Sequence, residues 1–245
     1  LEKGADLSED FNVVVPTGNF GNILAAYYAK EMGVPINRLI CASNSNNVLT
    51  EFLTTGVYDR NRTFHTTMSP SMDILISSNL ERLLFDLTGE NDSEVRRYMD
   101  ALASKGVYEV TDDVKRGIRE NFWAGFCDEE ATSATIEDYY KNKGYLIDTH
   151  TAVAANVMEQ YRKTTKDETL TVFLSTASPY KFCNHVLAAV GENPAGDGVE
   201  LLDQLNAVSG VAVPRRLAEL KNKVRRFDLT AEKQEMDAVV LNFLK

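Results

Sequence analysis

The sequence has few cysteines and no long apolar run. Its three cysteines, Cys41, Cys127 and Cys183, are widely spaced, odd in number and set in apolar surroundings. This pattern argues against a disulfide framework or a zinc site, and it favours a protein of the reducing cytoplasm. No apolar run approaches the ~18 residues that a membrane-spanning helix needs, and no signal-peptide pattern opens the chain. We therefore expect no membrane partner.

Positive charge is also scarce, because 26 Lys and Arg stand against 36 Asp and Glu, giving a net charge of −10. Such a chain repels a phosphate backbone, which argues against nucleic acid as a general partner. A small anionic ligand is not excluded, since a local nest of backbone amides binds phosphate even on an acidic protein. The first residue is Leu1, and a polar run covers residues 2–6. That start is typical of a cut or processed end and predicts a piece of a longer protein.

The first part of the sequence has the pattern of a βαβ unit. Residues 11–15 form a β-branched apolar run, residues 22–32 have helical periodicity, and residues 38–42 form a second apolar run. Gly33 follows the predicted helix where a C-cap glycine belongs. A connection of this kind is right-handed and joins parallel strands. The chain is therefore expected to have an α/β fold with an open, mostly parallel sheet.

The rest of the sequence predicts further helices and short strands. Further helices are predicted at residues 45–55, 78–87, 93–104, 135–143, 149–163 and 179–190, and a short strand at 170–174. Residues 107–126 alternate weakly and predict one short strand and one helix of a subsidiary lobe. Ser93 and Ser178 are expected to cap the helices that they precede. The tail from residue 194 is polar and ends in an apolar segment at 238–244.

A glycine-containing turn joins the first strand to the first helix. Gly18 and Gly21 permit close backbone approach and positive φ, while Asn19 and Asn22 add side-chain amides. Helix-start amides lack intrahelical partners, and the helix dipole adds positive charge there, so the turn suits a phosphate monoester. It is neither a P-loop nor a three-glycine dinucleotide fingerprint. A plain βα turn explains the pattern equally well.

A second turn, residues 174–179, follows the strand predicted at 170–174. Because ligands of open α/β sheets bind at the carboxyl ends of strands, both turns are expected to face one crevice. Hydroxyl groups there can bond a ring nitrogen or a phosphate. Capping of the next helix by Ser178, with Pro179 at its first position, is the simpler interpretation. It leaves Thr176 unexplained.

The histidines give weaker signals. Residues 65–73 open with a histidine and are rich in hydroxyl groups, which is typical of a polar pocket but more often of a surface turn. His150 opens a predicted helix for which Asp148 or Thr149 is the expected cap. A neutral imidazole there suits a hydrogen-bonding role, and a satisfied structural histidine is the simpler interpretation. His185 lies within a predicted helix, and the three histidines share no metal-ligand spacing, so no metal site is predicted.

Several collinear blocks resemble the threonine synthases. They are residues 15–22 (Val-Pro-Thr-Gly-Asn-Phe-Gly-Asn), 41–49, 55–58, 69–82, 148–154 and 175–182. That family belongs to the tryptophan-synthase-β-like, fold type II enzymes, which use pyridoxal 5′-phosphate (PLP). The resemblance implies a three-layer α/β fold that is incomplete without an N-terminal half. It also implies that residues 1–190 form the C-terminal part of the catalytic domain, with a less regular region around 60–126, and that residues 191–245 form a mostly helical extension.

The same resemblance implies a function and a set of site residues. The full enzyme of that family, a lyase of threonine biosynthesis, converts O-phospho-L-homoserine and water to L-threonine and phosphate. Thr176 is implied to bond the pyridine nitrogen, and Ser71 and Asp73 lie in a block similar to the family's substrate region. The residues implied to hold the cofactor phosphate are Gly18, Asn19, Phe20, Gly21 and Asn22.

The family's Schiff-base lysine is not found. It belongs to an Ala-Phe-Lys-Asp-like motif of the N-terminal half, and no such motif occurs in this sequence. Lys30 lies about 13 Å along the helix from Gly21 at 1.5 Å per residue, and Lys181 lies inside the helix predicted after Pro179. We therefore expect the chain alone to be inactive and to need the N-terminal half as a partner. The alternatives are a stand-alone module that binds a phosphorylated metabolite, or one chain of a split enzyme.

Overall fold

A computed structural model describes residues 8–196, 198–224, 226 and 228–244. The polar start that predicted a processed end, residues 1–6, lies outside the described residues. The strands are β1 (Phe11–Pro16), β2 (Ile36–Ser43), β3 (Val57–Asp59), β4 (Val107–Glu109), β5 (Phe122–Phe126) and β6 (Thr171–Phe173). Four of them form a parallel sheet in the order β5-β2-β1-β6. The other two, β3 and β4, form an antiparallel pair.

Helices connect and cover these strands. They are α1 (Gly21–Glu31), α2 (Val48–Thr55), α3 (Leu80–Leu87), α4 (Asp92–Lys105), α5 (Asp112–Asn121), α6 (Glu129–Lys143), α7 (Thr149–Thr165), α8 (Cys183–Ala189), α9 (Val199–Ser209), α10 (Arg215–Ala218) and α11 (Met236–Phe243). Short 3₁₀ turns lie at Pro70–Met72, Pro179–Lys181, Glu219–Asn222 and Lys233–Glu235. The predicted βαβ unit is confirmed as β1, α1 and β2, with parallel strands.

The two faces of the central strands pack against different helices, and this gives the fold its layers. Val13 and Val15 of β1 belong to a core shared with helices α1 to α5. Val14 and Ile40 belong instead to a core shared with α7. Because successive side chains of a strand point to opposite faces, the sheet is buried on both sides. The predicted three-layer α/β architecture is therefore confirmed.

The described part of the chain beyond residue 190 contains the helices α9, α10 and α11 and two 3₁₀ turns. Its α9 packs with α6 and α8 in a third core cluster, which includes Ile136, Leu187 and Leu202. The last helix, α11, has no buried residue. The domain boundary predicted between residues 190 and 191 stays a prediction.

Three predicted helix boundaries are wrong, and capping explains two of them. The helix predicted from residue 135 begins at Glu129, because the Asp128 side chain accepts a hydrogen bond from the Ala131 N–H and fixes the start there. The cap of α4 is Asn91, which accepts from the Glu94 N–H at 3.1 Å, and not Ser93. The helix predicted at 45–55 begins only at Val48.

Two other segments also differ from the sequence prediction. Residues 107–126 contain a second strand, β5, which pairs with β2 in the main sheet. That strand was missed because its apolar run, Phe122–Phe126, follows directly on α5, so no turn residue marks the change from helix to strand. The helix predicted at 179–190 is a 3₁₀ turn followed by α8, separated where Phe182 leaves the helical conformation (φ −128°, ψ 39°).

A buried polar link joins the central strands near the start of β1. Asn12, which is fully buried, donates to Asp167 at 2.9 Å and accepts from Asn37 at 2.9 Å. Asp167 also accepts from the Thr169 N–H and the Tyr161 hydroxyl. Burial acts to raise the pKa of Asp167, but the hydrogen bonds from Thr169, Tyr161 and Asn12 outweigh it and hold that pKa well below its usual range.

This link predicts an acid-dependent loss of stability. Because the folded pKa of Asp167 is depressed, its contribution is complete above the unfolded value of about 3.9 and is lost as pH falls through the folded value. Asp167→Asn should lower the free energy of unfolding by about 1 kcal/mol at pH 7 and by less at pH 3, measured by urea unfolding. Asp113→Asn, which changes an exposed carboxylate, is the control. A difference that stays constant with pH would contradict this role.

Candidate functional site

The carboxyl ends of β1 and β6 open onto one cavity of about 260 Å³. Its lining comprises Pro16, Thr17, Gly18, Asn19, Phe20, Gly21, Asn22, Ser71, Met72, Asn79, His150 and Thr176. Open α/β sheets bind ligands at this edge. The structure therefore brings together all the predicted site residues except Asp73, which does not line the cavity.

The turn after β1 presents free backbone amides. Gly21 is the first residue of α1, and the preceding Phe20 has a left-handed backbone with φ 64°. Among the described residues, none accepts a hydrogen bond from the N–H groups of residues 18–22. The helix dipole adds partial positive charge at the same place. These amides can therefore hold a phosphate group at the helix start.

The side chain of Phe20 stabilises this turn from below. A non-glycine residue in the left-handed region costs about 1–2 kcal/mol, so something else must hold it there. The residue is 1% exposed, and its ring lies 5.7 Å from the Phe122 ring, centroid to centroid. The Phe20 ring therefore anchors the turn in the core.

The two glycines of the turn are packed against different neighbours. A Cβ atom at Gly18 would lie 2.9 Å from the Met72 Cα and 3.1 Å from the Ser71 carbonyl oxygen. A Cβ atom at Gly21 would meet only the Asn79 side chain, with its amide nitrogen at 3.2 Å. Gly18 is therefore required by close backbone packing, whereas the neighbour of Gly21 is a side chain.

Asn19 holds the turn in place through hydrogen bonds to neighbouring residues. Its side-chain oxygen accepts from the Ser78 N–H at 2.7 Å and from the Ser78 hydroxyl at 2.9 Å. The Asn79 amide donates to the Asn19 carbonyl at 2.9 Å. Asn79 was not predicted as a site residue, and its only sequence signal was its place in the block 69–82. The side-chain amides of Asn19 and Asn22 were predicted donors, and that role stays a prediction.

Asp73 links two segments beside the cavity. Its carboxylate accepts from Asn44 at 2.8 Å, Asn46 at 2.9 Å and the Thr67 hydroxyl at 2.7 Å. It also accepts from the Thr67 N–H at 2.8 Å. These four bonds tie the segment before Asp73 to the residues after β2. Of the two predicted substrate residues, only Ser71 therefore lines the cavity.

The start of α7 is capped by a buried carboxylate. Asp148 is 1% exposed and accepts from the N–H groups of His150 at 2.8 Å and Thr151 at 3.2 Å, and from the Thr151 hydroxyl. Of the two predicted caps, Asp148 is the one observed. Burial acts to raise the pKa of Asp148, but the hydrogen bonds from His150 and Thr151 outweigh it and lower that pKa below its usual range.

His150 lies in the cavity wall with both ring nitrogens engaged. Its Nε2 accepts a hydrogen bond from the Ser71 N–H at 3.2 Å. Its Nδ1 lies 3.4 Å from an Asp148 oxygen and 3.3 Å from the Thr149 hydroxyl. Acceptance at Nε2 requires that nitrogen to carry no proton, which assigns the neutral Nδ1–H form. The predicted hydrogen-bonding role agrees with this geometry, but the sequence did not place His150 in the cavity.

The second turn carries Thr176 at the far wall. Ser178 accepts from the Tyr180 N–H at 3.3 Å, so the predicted cap is confirmed, although it caps a 3₁₀ turn. The Thr176 hydroxyl forms no hydrogen bond with the described residues. The preceding Ser175 hydroxyl lies 3.0 Å from the hydroxyl of Thr151 in α7. Thr176 thus offers the cavity an unengaged hydroxyl on a turn that is held in place.

Other chemistries have less support within the described part of the chain. None of its helices is long and apolar enough to cross a membrane. It contains no group of three His, Cys, Asp or Glu side chains that could hold a metal ion. The three cysteines are buried and free. Burial raises the pKa of Cys41 to about 12 and that of Cys127 to about 11, which makes both poor nucleophiles at neutral pH.

Several known proteins resemble this chain in sequence and in fold. A family profile described as threonine synthase, C-terminal, matches residues 151–240. The chain is 41% identical to the threonine synthase of Pseudomonas aeruginosa over 182 aligned residues. The aligned residues cover 74% of this chain and 38% of that protein.

Two solved structures share the fold. The PLP-bound threonine synthase of Brucella melitensis superimposes with a TM-score of 0.78 at 37% identity, over 92% of this chain and 44% of that one. Threonine synthase from yeast gives a TM-score of 0.82 at 31% identity, over 99% of this chain and 48% of that one. This chain spans less than half the length of each of these relatives. The resemblance predicted from the sequence blocks is confirmed, and the chain belongs to the threonine synthase family.

Proposed function

We propose that the chain is the C-terminal part of a PLP-dependent threonine synthase, a lyase of threonine biosynthesis. The complete enzyme converts O-phospho-L-homoserine and water to L-threonine and phosphate. The observation that carries this proposal is the single cavity in which the free amides of residues 18–22 and the hydroxyl of Thr176 stand together.

The residues of the cavity fit the two ends of PLP. The amides at the start of α1 bind the phosphate, and Thr176 accepts or donates a hydrogen bond at the pyridine nitrogen. A hydroxyl partner, unlike a carboxylate, does not enforce a protonated ring, so it tunes the electron-withdrawing strength that PLP supplies when bound. The volume of about 260 Å³ is below the ~300–1,000 Å³ of most ligand sites, which suits one wall of a larger site.

The proposal includes a lysine from outside this chain. No described residue that lines the cavity is a lysine. The Lys30 ammonium donates to the Asn37 carbonyl at 3.0 Å, in the last turn of α1, and Lys181 lies over the Phe182 ring at 5.5 Å. We propose that the N-terminal half of the same enzyme supplies the Schiff-base lysine and that residues 1–245 alone are inactive.

The exposed edge of strand β6 supports the proposal that the N-terminal half of the enzyme packs against this chain. Strand β6 is the edge strand of the parallel sheet in the described residues, and its own Phe173 and the preceding Leu170 are 38% and 45% exposed. Unpaired, partly apolar strand edges are surfaces on which further strands add. The buried, free cysteines support the proposed cytoplasmic location.

The test uses the protein as its gene encodes it, and residues 1–245 alone for comparison. We expect the gene product to release L-threonine and phosphate in equal amounts from O-phospho-L-homoserine, and residues 1–245 to release neither. Borohydride treatment should fix PLP to a lysine outside residues 1–245. A label on Lys30 or Lys181, or threonine production by residues 1–245, would contradict the proposal.

The same test separates the two alternatives. A gene product that binds PLP or a phosphorylated metabolite without forming threonine is a binding module. Turnover that requires a second gene product identifies a split enzyme.

A further inference from the structure

Three separate segments form the walls of the candidate cavity, and one helix start contacts two of them. The segments are the phosphate turn at residues 18–22, the 3₁₀ turn Pro70–Met72, and the turn that carries Thr176. The helix start is the beginning of α7, where Asp148 and Thr151 meet one side and His150 the other.

The first connection runs from α7 to the phosphate turn. His150 Nε2 accepts from the Ser71 N–H at 3.2 Å, which fixes the 3₁₀ turn. The backbone of Ser71 and Met72 lies so close to Gly18 that a Cβ there would be 2.9 Å from the Met72 Cα. The position of Ser71 therefore sets the position of the phosphate turn, and His150 sets the position of Ser71.

The second connection runs from α7 to the far wall. Asp148 accepts from the Thr151 hydroxyl, and the Thr151 oxygen lies 3.0 Å from the Ser175 hydroxyl. Thr176 follows directly. Asp148 thus orients Thr151 toward one wall, and its cap bond to the His150 N–H at 2.8 Å fixes the start of the other connection.

We propose that His150 and Thr151, both held by Asp148, are positioning residues that set the distance between the phosphate end and the ring end of PLP. This inference rests on the proposed function, since it assumes that PLP occupies the cavity. His150 is not a general base here, because its Nε2 lone pair is occupied by the Ser71 N–H and its Nδ1 faces Asp148 and Thr149. Its effect on the position of the phosphate turn passes through Ser71 and Gly18.

The first experiment exchanges the acceptor at His150 in the apo form of the gene product. The side-chain oxygen of glutamine reaches the position of Nε2, whereas that of asparagine reaches only that of Nδ1. Losing the acceptor leaves the Ser71 N–H unpaired, so the 3₁₀ turn is no longer held in the position against which Gly18 packs. We expect His150→Gln to keep the dissociation constants of PLP and inorganic phosphate within about threefold, and His150→Asn to raise both about tenfold.

The second experiment removes the hydroxyl contact between Thr151 and Ser175. Thr151→Val keeps the shape of the side chain but removes its hydroxyl. We expect it to weaken binding of pyridoxal, which lacks the phosphate, by about fivefold, and to leave the affinity for inorganic phosphate unchanged. The two probes therefore report on the two ends of the cavity separately. Fluorescence titration measures PLP and pyridoxal, and equilibrium dialysis measures phosphate.

Results that would overturn the positioning role differ from results that would overturn the proposed function. Equal affinities in the glutamine and asparagine variants, or equal losses for both probes in Thr151→Val, would overturn the positioning role while leaving PLP binding intact. Failure of the unmodified apo protein to bind PLP would overturn the proposed function and this inference with it. The unfolding midpoint of each variant is measured alongside, and His150→Asn should weaken binding even when its midpoint matches that of His150→Gln.

Discussion

Replacing Gly18 with alanine is expected to weaken PLP binding by about 30-fold, whereas the same change at Gly21 should alter it by less than about threefold. The new methyl group at position 18 would stand 2.9 Å from the Met72 Cα and 3.1 Å from the Ser71 carbonyl oxygen. Both are backbone atoms, so one of the two segments must move. Because the phosphate turn is the cofactor cradle of the proposed function, the displacement falls on the amides that bind phosphate.

Gly21 provides a matched control in the same turn. Its new methyl group would approach only the Asn79 side-chain amide, at 3.2 Å, and a side chain can shift by a few tenths of an ångström. Alanine also has a high helix propensity, which suits the first residue of α1. Affinity is measured by titrating the apo form of the gene product with PLP, and with inorganic phosphate to isolate the cradle. An equal or larger loss at Gly21 would contradict the assigned packing role of Gly18.

Asp148→Ala is expected to lower the free energy of unfolding by about 3 kcal/mol at pH 7. The change removes the helix cap of α7 and leaves three donors without their acceptor, namely two N–H groups and the Thr151 hydroxyl. Since Asp148 is 1% exposed, water cannot readily replace the lost oxygens. Urea unfolding of the gene product and its variant measures the difference.

Asp128→Ala is the matched control for this prediction. Asp128 is also a helix cap, but it is exposed and its side chain accepts only from the Ala131 N–H, at 2.8 Å. Its loss should cost about 1 kcal/mol. Because the folded pKa of Asp148 is lowered, its contribution is complete above the unfolded value of about 3.9 and declines as pH falls through the folded value. The role of Asp148 would be refuted by equal costs for the two caps at pH 7.

The sequence predicted the elements whose signals are local. The β1–α1–β2 unit has a buried apolar run, a helical period and a terminal glycine within about 30 residues, and each was found. Strand β5 was not predicted, because its apolar residues follow α5 without an intervening turn and no local signal separates the two elements. The break at Phe182 was also missed, since the apolar spacing of a 3₁₀ turn followed by a helix resembles that of one helix.

The candidate site was only partly predictable for a different reason. Gly18, Gly21 and Thr176 lie at strand ends, where a parallel sheet gathers its loops. His150 reaches the cavity through a bond to Ser71, which is 79 positions away, and no local pattern records such a contact. Asp73 was named only because its block resembles the family's substrate region, and no local pattern predicts the four internal hydrogen bonds that engage its carboxylate.

The position of β6 at the edge of the sheet has a thermodynamic consequence. Thr176 lies on the turn that begins directly after this strand, so a strand that pairs with β6 also restricts the turn. Pairing at that edge and ligand binding at Thr176 are then linked equilibria. By reciprocity, whatever factor strand pairing adds to ligand affinity, the bound ligand adds to the strength of the pairing. The cofactor and the neighbouring strand would thus behave as positive heterotropic effectors of each other.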